Sequence, residues 1–366
     1  MSLTIALLPG DGIGPEVTAE AVRILKNVAE HAGKSFMFST HNIGGVAIDS
    51  DGQGLPEKTL EACLGANAVL LGAVGNPKFD GRVPSERPEA ALLALRQALG
   101  GYANLRPAIC YAPLAKRTAF QPEKVKGADL LIIRELLGGL YFGEPRGFAA
   151  SGDTAFNTLI YSRHEVDRVA RVAFERARER RGRVASIDKA NVLECSQLWR
   201  RVVSDVAKEY PDVALEHVFV DTAAMRLATA PTSFDVMLCD NLFGDILSDQ
   251  AASVAGSLGL LPSATLGGQV DLYEPVHGSA PDIAGKGLAN PIGAIASAAM
   301  LLRFTAKMEK EAAEIEHAIE DALAAGARTR DLANPGERVL STQEMGQAIE
   351  DALSDVRDRR HSYHAV

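Results

Sequence analysis

Short apolar segments bounded by glycine or proline alternate along this chain with longer segments of helical periodicity. This alternation is typical of α/β proteins, in which helices pack on a largely parallel sheet. Strands are predicted over residues 4–8, 68–71, 129–133, 183–187 and 213–220. Helices are predicted over residues 15–32, 56–64, 88–99, 163–181, 192–209, 244–258, 291–309, 311–325 and 342–356. The polar residues 357–366 are expected to fray.

Composition sets the class of protein that the chain can form. With 366 residues, of which 47% are hydrophobic, it can bury the cores of roughly two domains. A net charge of −9 disfavours binding to nucleic acid. The 4 cysteines are widely spaced and indicate neither a zinc site nor a disulfide framework. The first apolar run stops at Pro9-Gly10, so neither a signal peptide nor a membrane span is predicted, and we expect a cytoplasmic protein.

The segment Asp240-Asn241-Leu242-Phe243-Gly244-Asp245-Ile246-Leu247-Ser248-Asp249 places two carboxylates four residues apart in an apolar stretch. On a helix, Asp245 and Asp249 would share one face and repel each other. The segment between Arg226 and Lys286 contains no Lys or Arg that could offset this repulsion locally. A divalent cation with oxygen ligands, Mg²⁺ or Mn²⁺, would remove the conflict. A solvated acidic face explains the same spacing equally well.

Three arginines, Arg96, Arg106 and Arg134, are candidate anion binders. Arg106 lies in Asn104-Leu105-Arg106-Pro107, and Arg134 directly follows an apolar run. Three guanidinium groups in one cleft would suit a small di- or tricarboxylate. Each arginine taken alone is more often part of a surface ion pair, so the interpretation requires that folding brings them together.

The segment from Glu274 to Pro291 contains many glycines and prolines and shows no helical or strand periodicity. Long ordered loops of this kind are often functional. Backbone donors and His277 could hold a nucleotide there, although a structural histidine is the more common case. Asp282 could accept hydrogen bonds from a ribose diol, which would favour NAD over NADP.

Three further candidates lie elsewhere in the chain. The turn Gly10-Asp11-Gly12-Ile13-Gly14 joins the first strand to the first helix but lacks the spacing of a dinucleotide fingerprint, so a simple tight turn is at least as good an explanation. Lys189 directly follows a predicted strand and could act as a base. Tyr141 lies among glycines and could present its hydroxyl as an acid. Either side chain, taken alone, is more often structural.

Taken in order from Gly10 to about Phe304, these segments resemble the decarboxylating dehydrogenases that act on isopropylmalate, isocitrate, homoisocitrate, malate and tartrate. The Asn104–Pro107 segment, residues 134–147 and the loop 274–290 are most similar to the isopropylmalate branch. The resemblance implies an α/β, isopropylmalate-dehydrogenase-like two-domain fold rather than a Rossmann fold. Residues 1–101 and 256–366 would form the first domain, with residues 102–255 inserted as the second.

The resemblance also implies roles for individual residues. The substrate carboxylates would be bound by Arg96, Arg106 and Arg134. Proton transfer would be carried out by Tyr141 and Lys189. Mg²⁺ or Mn²⁺ would be held by Asp221, Asp245 and Asp249. A partner subunit would supply Lys189 and Asp221, and residues 144–157 resemble an intersubunit arm, so the active sites of a homodimer would be shared.

Cofactor and substrate choice follow from the same resemblance. The residues that match the NAD-binding loop are Glu274, His277, Gly278, Ser279, Ala280, Asp282 and Asn290. Where isocitrate enzymes read a third carboxylate, this chain has Glu89, Leu92 and Leu93, which suit an isopropyl group better. Leu137 stands where related sequences often have threonine.

The expected activity is NAD-dependent oxidative decarboxylation of (2R,3S)-3-isopropylmalate to 4-methyl-2-oxopentanoate and CO₂ in leucine biosynthesis. A related enzyme acting on malate, tartrate or homoisocitrate would use the same catalytic residues. A catalytically silent subunit on the same fold would be expected to lack some of Tyr141, Lys189, Asp245 and Asp249, yet all four are present. No membrane or nucleic-acid partner is expected.

Overall fold

A computed structural model describes the backbone of residues 2–364 and the side chains of residues 2–359. Its strands, in chain order, are β1 Ser2–Gly10, β2 Ser35–Thr40, β3 Ala68–Ala73, β4 Ala103–Ile109, β5 Asp129–Glu135, β6 Gly147–Phe148, β7 Ala155–Phe156, β8 Arg183–Asp188, β9 Ala214–Phe219, β10 Val236–Cys239, β11 Pro262–Leu266 and β12 Asp271–Pro275.

The α-helices are α1 Gly14–His31, α2 Gly45–Asp51, α3 Glu57–Leu64, α4 Pro88–Leu99, α5 Pro122–Val125, α6 Arg163–Arg178, α7 Glu194–Ala207, α8 Val220–Thr229, α9 Asn241–Ala255, α10 Ile292–Phe304, α11 Glu309–Ala324 and α12 Thr342–His364. Short 3-10 helices cover Pro77–Phe79, Pro84–Glu86, Ala112–Arg117, Gly139–Tyr141, Pro231–Ser233 and Leu258–Leu260. None of the described helices combines the length and apolarity needed to cross a membrane.

The first of two compact units contains the chain up to Gly101, the short segment Tyr111–Arg117 and the chain from Ala255 onward. Its strands lie in the order β2-β1-β3-β12-β11, with β11 antiparallel to β12 and the other pairs parallel. Every residue of β3 is buried, as expected for a parallel strand covered on both faces. Helix α10 is buried along almost its whole length, which makes it the central helix of this unit.

The second unit contains Tyr102–Cys110 and Thr118–Val254. Its strands lie in the order β4-β5-β10-β8-β9, with β4 antiparallel to β5 and the remaining pairs parallel. The carboxyl ends of β5, β8 and β10 therefore face the same edge of this sheet, where polar side chains can gather. Both units differ from the predicted domains at Tyr111–Arg117 and Ala255, which pack with the first unit.

The polar C-terminal segment differs from its prediction. Helix α12 runs to His364, so the expectation that residues 357–364 fray is wrong, while residues 365–366 lie outside the described part. The side chain of Arg357 is 7% exposed; its Nε lies 3.3 Å from a Glu314 carboxylate oxygen, and Nη1 donates to Asn27 Oδ1 at 2.7 Å. A buried arginine with such partners extends the helix, because tertiary contacts outweigh local polarity.

Candidate functional site

The two carboxylates predicted from the four-residue spacing lie on helix α9, in the second unit. Arg106, from β4, places Nη1 3.6 Å from Asp245 Oδ1 and 3.8 Å from Asp249 Oδ1. Arg106 is held in turn by Ser248, whose hydroxyl lies 2.7 Å from Nη1, and by Asn104, which accepts from Nε at 2.7 Å. The two carboxylates thus face one shared, positively charged group.

Arg134, near the end of β5, reaches the same helix. Its Nη1 lies 2.5 Å from Asp245 Oδ1, while Nε and Nη2 donate to Asn241 Oδ1 at 3.0 and 2.8 Å. The Asn241 amide donates to the carbonyls of Leu136 and Gly138 at 3.0 and 2.9 Å. Asn241 is buried. Its side-chain oxygen fixes the Arg134 guanidinium, and its side-chain NH₂ group is in turn fixed by the two backbone carbonyls.

Folding therefore offsets the charge repulsion that the sequence left uncompensated. Arg106 and Arg134 come from β4 and β5, far from Asp245 in sequence. Their approach makes the acidic pair stable without requiring a metal, so repulsion alone is no longer an argument for a cation. The case for a cation depends instead on the chemistry of the donor set.

Tyr141 completes this cluster. Its hydroxyl donates to Asp245 Oδ2 at 2.8 Å, and its ring lies 5.5 Å from the central carbon of Arg134. Burial, followed by the hydrogen bond to Asp245, raises the pKa of Tyr141 to about 12. The phenol is therefore protonated at neutral pH and can serve as a proton donor.

Lys189 and Asp221 form a separate pair in the same unit. Lys189 follows β8, Asp221 lies in the first turn of α8, and Nζ lies 2.5 Å from Asp221 Oδ1. The hydrogen bond from Lys189 lowers the pKa of Asp221, so that carboxylate is ionised at neutral pH. Across residues 2–359, no three His, Cys, Asp or Glu side chains form a group that could hold a metal. A role for Asp221 as a ligand beside Asp245 and Asp249 stays a prediction.

The donor set of α9 fits a hard divalent cation. Asp245 and Asp249 offer only carboxylate oxygens, and oxygen ligands are those that Mg²⁺ and Mn²⁺ prefer. Partial removal from solvent raises the pKa of Asp249; Arg106 opposes this shift, and the neighbouring Asp245 adds to it. A cation would reverse the rise, because positive charge favours the ionised carboxylate.

The loop predicted to bind a nucleotide lies in the first unit and meets the turn after β1. The backbone N–H of Ile13 donates to the Ser279 carbonyl at 2.8 Å. A Cβ on Gly12 would lie 1.9 Å from that carbonyl oxygen, so only glycine allows this approach. The turn therefore does more than start α1, because it supports the loop.

His277 is buried in this loop, with Nδ1 2.9 Å from the Gly278 carbonyl. Among the described residues, Nε2 has no hydrogen-bond partner, and a Cβ on Gly278 would meet nothing within 4 Å. Burial lowers the pKa of His277, which keeps the ring neutral. Ala280 has φ 39°, a strained backbone of the kind found at ligand-binding sites. An unpaired buried nitrogen in this loop fits a bound group that supplies a hydrogen bond, as a nucleotide does.

The remaining loop residues have different surroundings. Asp282 is exposed, whereas Asn290 is buried and donates to Asp331 Oδ2 at 3.0 Å. Glu274 belongs to β12 rather than to the loop, and one of its oxygens lies 2.6 Å from Arg96 Nη2 in a partly buried ion pair. The prediction that this segment is irregular from Glu274 onward is therefore wrong at its first two residues.

The three candidate arginines do not share one unit. Arg106 and Arg134 converge on Asp245 in the second unit, whereas Arg96 belongs to the first. Beside Arg96 on α4, Leu92 is partly buried against the core of its unit, and Glu89 is exposed at the first turn. A joint role for the three arginines stays a prediction.

Sequence reasoning gave no role to Asp11. This buried carboxylate accepts hydrogen bonds from the backbone N–H groups of Gly45, Val46 and Gly75 at 2.8, 2.8 and 2.9 Å. It thereby fixes the start of α2 and the segment after β3 beside Gly12. The sequence did indicate this role, because Asp11 lies between two glycines directly after a buried strand. A carboxylate in such a position often accepts hydrogen bonds from nearby backbone N–H groups.

Asp240, which precedes α9, gives the folded chain a pH dependence. Burial raises its pKa to about 7, although the Phe243 N–H at 2.7 Å opposes the shift. Because the folded chain keeps this proton to higher pH than the unfolded chain, the free energy of unfolding should fall as pH rises from about 4 to about 7, by at most about 1.4 kcal/mol per pH unit.

Urea unfolding at pH 5 and pH 7.5 measures this effect. Asp240→Asn should flatten the fall between the two pH values. Asp205→Asn is the control, because ion pairs with Lys208 and Arg163 lower the pKa of Asp205 to about 2, below the tested window. An Asp240→Asn variant with the same pH slope as the unmodified chain would show that Asp240 does not titrate there.

Comparisons with known proteins identify the relatives of this chain. The family model described as isocitrate/isopropylmalate dehydrogenase matches residues 4–349. The 3-isopropylmalate dehydrogenase of Moorella thermoacetica is 53% identical over 353 residues, which is 96% of this chain and 99% of that protein. The 3-isopropylmalate dehydrogenase of Salinibacter ruber is 54% identical over 355 residues, covering 97% of this chain and 96% of that protein.

Solved structures give the same result at the level of fold. The crystal structure of isocitrate dehydrogenase from Methylococcus capsulatus has a TM-score of 0.86 at 36% identity, covering 96% of this chain and 99% of that one. A β-decarboxylating dehydrogenase from Thermococcus kodakarensis has a TM-score of 0.79 at 37% identity, covering 96% of each chain. The predicted α/β fold is confirmed, and the chain belongs to the isocitrate/isopropylmalate dehydrogenase family.

Proposed function

We propose that this chain catalyses the NAD-dependent oxidative decarboxylation of (2R,3S)-3-isopropylmalate to 4-methyl-2-oxopentanoate and CO₂ in leucine biosynthesis. The observation that carries the proposal is the convergence of Arg106, Arg134 and Tyr141 on the α9 carboxylate Asp245. Relatives named 3-isopropylmalate dehydrogenase, 53–54% identical over nearly the whole chain, support the choice of substrate.

Substrate recognition is assigned to cationic, apolar and anionic side chains. Arg106 and Arg134 bind the carboxylates of the hydroxy acid, with Arg96 as a third contributor. Leu92 offers an apolar surface to the isopropyl group, and the exposed carboxylate of Glu89 repels a third substrate carboxylate. This arrangement favours isopropylmalate over isocitrate.

Proton movements are assigned to two side chains. Lys189 of the partner subunit, directly or through water, takes the proton from the C2 hydroxyl as C2 loses a hydride. The bond between C3 and its carboxylate then breaks to release CO₂, and its electron pair remains on the substrate as an enolate. Tyr141, which is protonated at neutral pH, supplies the proton to C3.

Two bound groups complete the chemistry. NAD would accept the hydride, and the residues that would hold it are Glu274, His277, Gly278, Ser279, Ala280, Asp282 and Asn290. Asp245 and Asp249, with Asp221 of the partner subunit, would hold Mg²⁺ or Mn²⁺, which would supply Lewis-acid stabilisation of negative charge on the substrate. Asp282 favours NAD, because a carboxylate repels the 2′-phosphate of NADP.

A homodimer with shared active sites is part of the proposal. Asp221 is 64% exposed and Lys189 28% exposed, so both are accessible to a second chain. Strands β6 and β7 pair as a two-stranded hairpin that carries the exposed aromatic side chains of Phe148 and Phe156. Exposed aromatic groups of this kind suit burial against a second copy.

The function is tested by NADH or NADPH formation from 3-isopropylmalate, malate, tartrate, homoisocitrate and isocitrate, before and after EDTA treatment. The proposal expects the highest kcat/KM with 3-isopropylmalate and NAD, and loss of turnover with EDTA that added Mn²⁺ restores. Activity confined to isocitrate and NADP would contradict it. A higher kcat/KM with malate, tartrate or homoisocitrate would move the assignment to another member of the family.

Tyr141→Phe should lower kcat by about 10²-fold, because the variant loses the proton donor but keeps the ring. KM for NAD should change by less than about twofold. Steady-state kinetics on 3-isopropylmalate measures both. Tyr210→Phe is the control, since Tyr210 is a buried tyrosine of the same unit that stacks on Phe174. Equal rates for Tyr141→Phe and the unmodified enzyme would remove Tyr141 from the mechanism.

A further inference from the structure

The first residue of α12 contacts the loop that we assign to the cofactor. Thr342 is buried, with 1% of its surface exposed. Its backbone N–H donates to the Gly287 carbonyl at 2.9 Å, and its hydroxyl lies 2.7 Å from the Ala289 carbonyl. The C-terminal half of the loop is thus attached to a helix more than fifty residues further along the chain.

Glu16, on the first turn of α1, joins the same contact. Its Oε2 lies 3.2 Å from the Thr342 hydroxyl, and its Oε1 accepts from the Gly285 N–H at 3.3 Å. The hydroxyl proton of Thr342 can be donated to the Ala289 carbonyl or to the Glu16 carboxylate, and the Ala289 carbonyl is the nearer of the two. Residues 285–289 are therefore held from two helices at once.

Both helices are themselves fixed. Ser341 and Glu344 form reciprocal hydrogen bonds at the start of α12, with distances of 2.8 and 3.2 Å. A Cβ on Gly346 would lie 1.9 Å from a carboxylate oxygen of Glu20 on α1, so the two helices are in close contact there. Thr342 thus meets the loop from a rigid support.

The loop needs such a support, because its own backbone is permissive. Gly287 has φ 64°, in the left-handed region that glycine enters without penalty. A segment with this freedom loses conformational entropy when it closes on a ligand. Contacts that hold it beforehand lower that cost and raise affinity.

We propose that Thr342 is a positioning residue for cofactor binding: its hydroxyl, together with Glu16, holds residues 285–289 in the shape that binds NAD. The proposal rests on the function proposed above, since it takes NAD as the ligand of this loop. Thr342 touches no reacting atom, so its loss should weaken binding of the cofactor and leave KM for the hydroxy acid unchanged.

Isothermal titration of NAD into the full-length protein tests the proposal. Thr342→Val keeps the shape and the backbone N–H but removes the hydroxyl, and should raise Kd for NAD by about fivefold to tenfold. Thr342→Ser should restore Kd to within about twofold of the unmodified protein. Glu16→Ala, at a half-buried site, tests the same contact from α1 if Thr342→Val folds poorly, and should also raise Kd.

Thr59→Val is the matched control. Thr59 is a buried threonine of the same unit whose hydroxyl donates to the Asn42 carbonyl at 2.9 Å, far in sequence from this loop. Its removal costs a comparable hydrogen bond and should leave Kd for NAD unchanged. Equal increases in Thr59→Val and Thr342→Val, or no increase in Thr342→Val, would overturn the positioning role.

Hydrogen exchange of the cofactor-free protein separates this inference from the proposed function. Amides of residues 285–289 should exchange several times faster in Thr342→Val than in the unmodified protein or in Thr59→Val. If the unmodified protein fails to bind NAD while this difference in exchange appears, the proposed cofactor is wrong, but the role of Thr342 in holding residues 285–289 stands. Unchanged exchange of these amides in Thr342→Val would show that the Thr342 hydroxyl does not hold the loop.

Discussion

Replacing Asp245 with asparagine is expected to lower kcat on 3-isopropylmalate by about 10³-fold or more. Asp245 accepts from Arg134 at 2.5 Å and from Tyr141 at 2.8 Å, and lies 3.6 Å from Arg106. The substitution keeps the side-chain shape but removes the negative charge that would hold a cation, and it places an amide where three donors converge. NADH formation at saturating substrate and Mn²⁺ measures the loss.

The matched control for this prediction is Asp205→Asn. Asp205 is a surface carboxylate of the same unit that pairs with Arg163 and Lys208, so its loss removes comparable ion pairs away from α9. The kcat of Asp205→Asn should stay within about twofold of the unmodified enzyme. Exposed ion pairs contribute little to stability, so the fold and the α9 site should be unchanged. An Asp245→Asn enzyme with more than about a tenth of full activity would show that the α9 carboxylate is not at the reacting centre.

Lys189→Met should lower kcat by about 10³-fold, since methionine matches the length of the side chain but cannot accept a proton. The loss should appear equally in kcat and in kcat/KM, because the interaction is assigned to the transition state. Steady-state kinetics measures both.

Lys208→Met is the corresponding control, because Lys208 also pairs with an aspartate but at an exposed helix end. Full activity is expected there. If Lys189→Met raised KM for the hydroxy acid and left kcat unchanged, Lys189 would be a binding residue and the assigned base would be wrong.

The sequence predicted five of the twelve strands that the structure describes. The five predicted strands all appear, because runs such as 68–71 are apolar enough to be buried on both faces. Strand β4 was missed because it contains Arg106 and Pro107, which argue against a strand when read locally. Strand β10, Val236–Cys239, was also missed, because a short apolar run is consistent with either a strand or a buried helical segment.

The candidate site was predicted only in part, because the sequence displays local spacing but not tertiary contacts. The spacing of Asp245 and Asp249 is a local property of α9, and the sequence displays it directly. The contacts that surround the pair are not local, because Arg106 comes from a strand more than a hundred residues earlier. The role of Asn241 in holding Arg134 depends on backbone carbonyls brought close by folding, and no spacing rule reveals it.

Binding of Mn²⁺ shows whether the α9 carboxylates hold a divalent cation in the working enzyme. Electron paramagnetic resonance of free Mn²⁺, titrated with protein and 3-isopropylmalate, gives the number of ions bound per chain. We expect about one ion per chain for the unmodified protein, and at least about tenfold weaker binding for Asp245→Asn and for Asp249→Asn. Equal Mn²⁺ affinity in all three proteins, or full turnover in the presence of EDTA, would contradict this expectation.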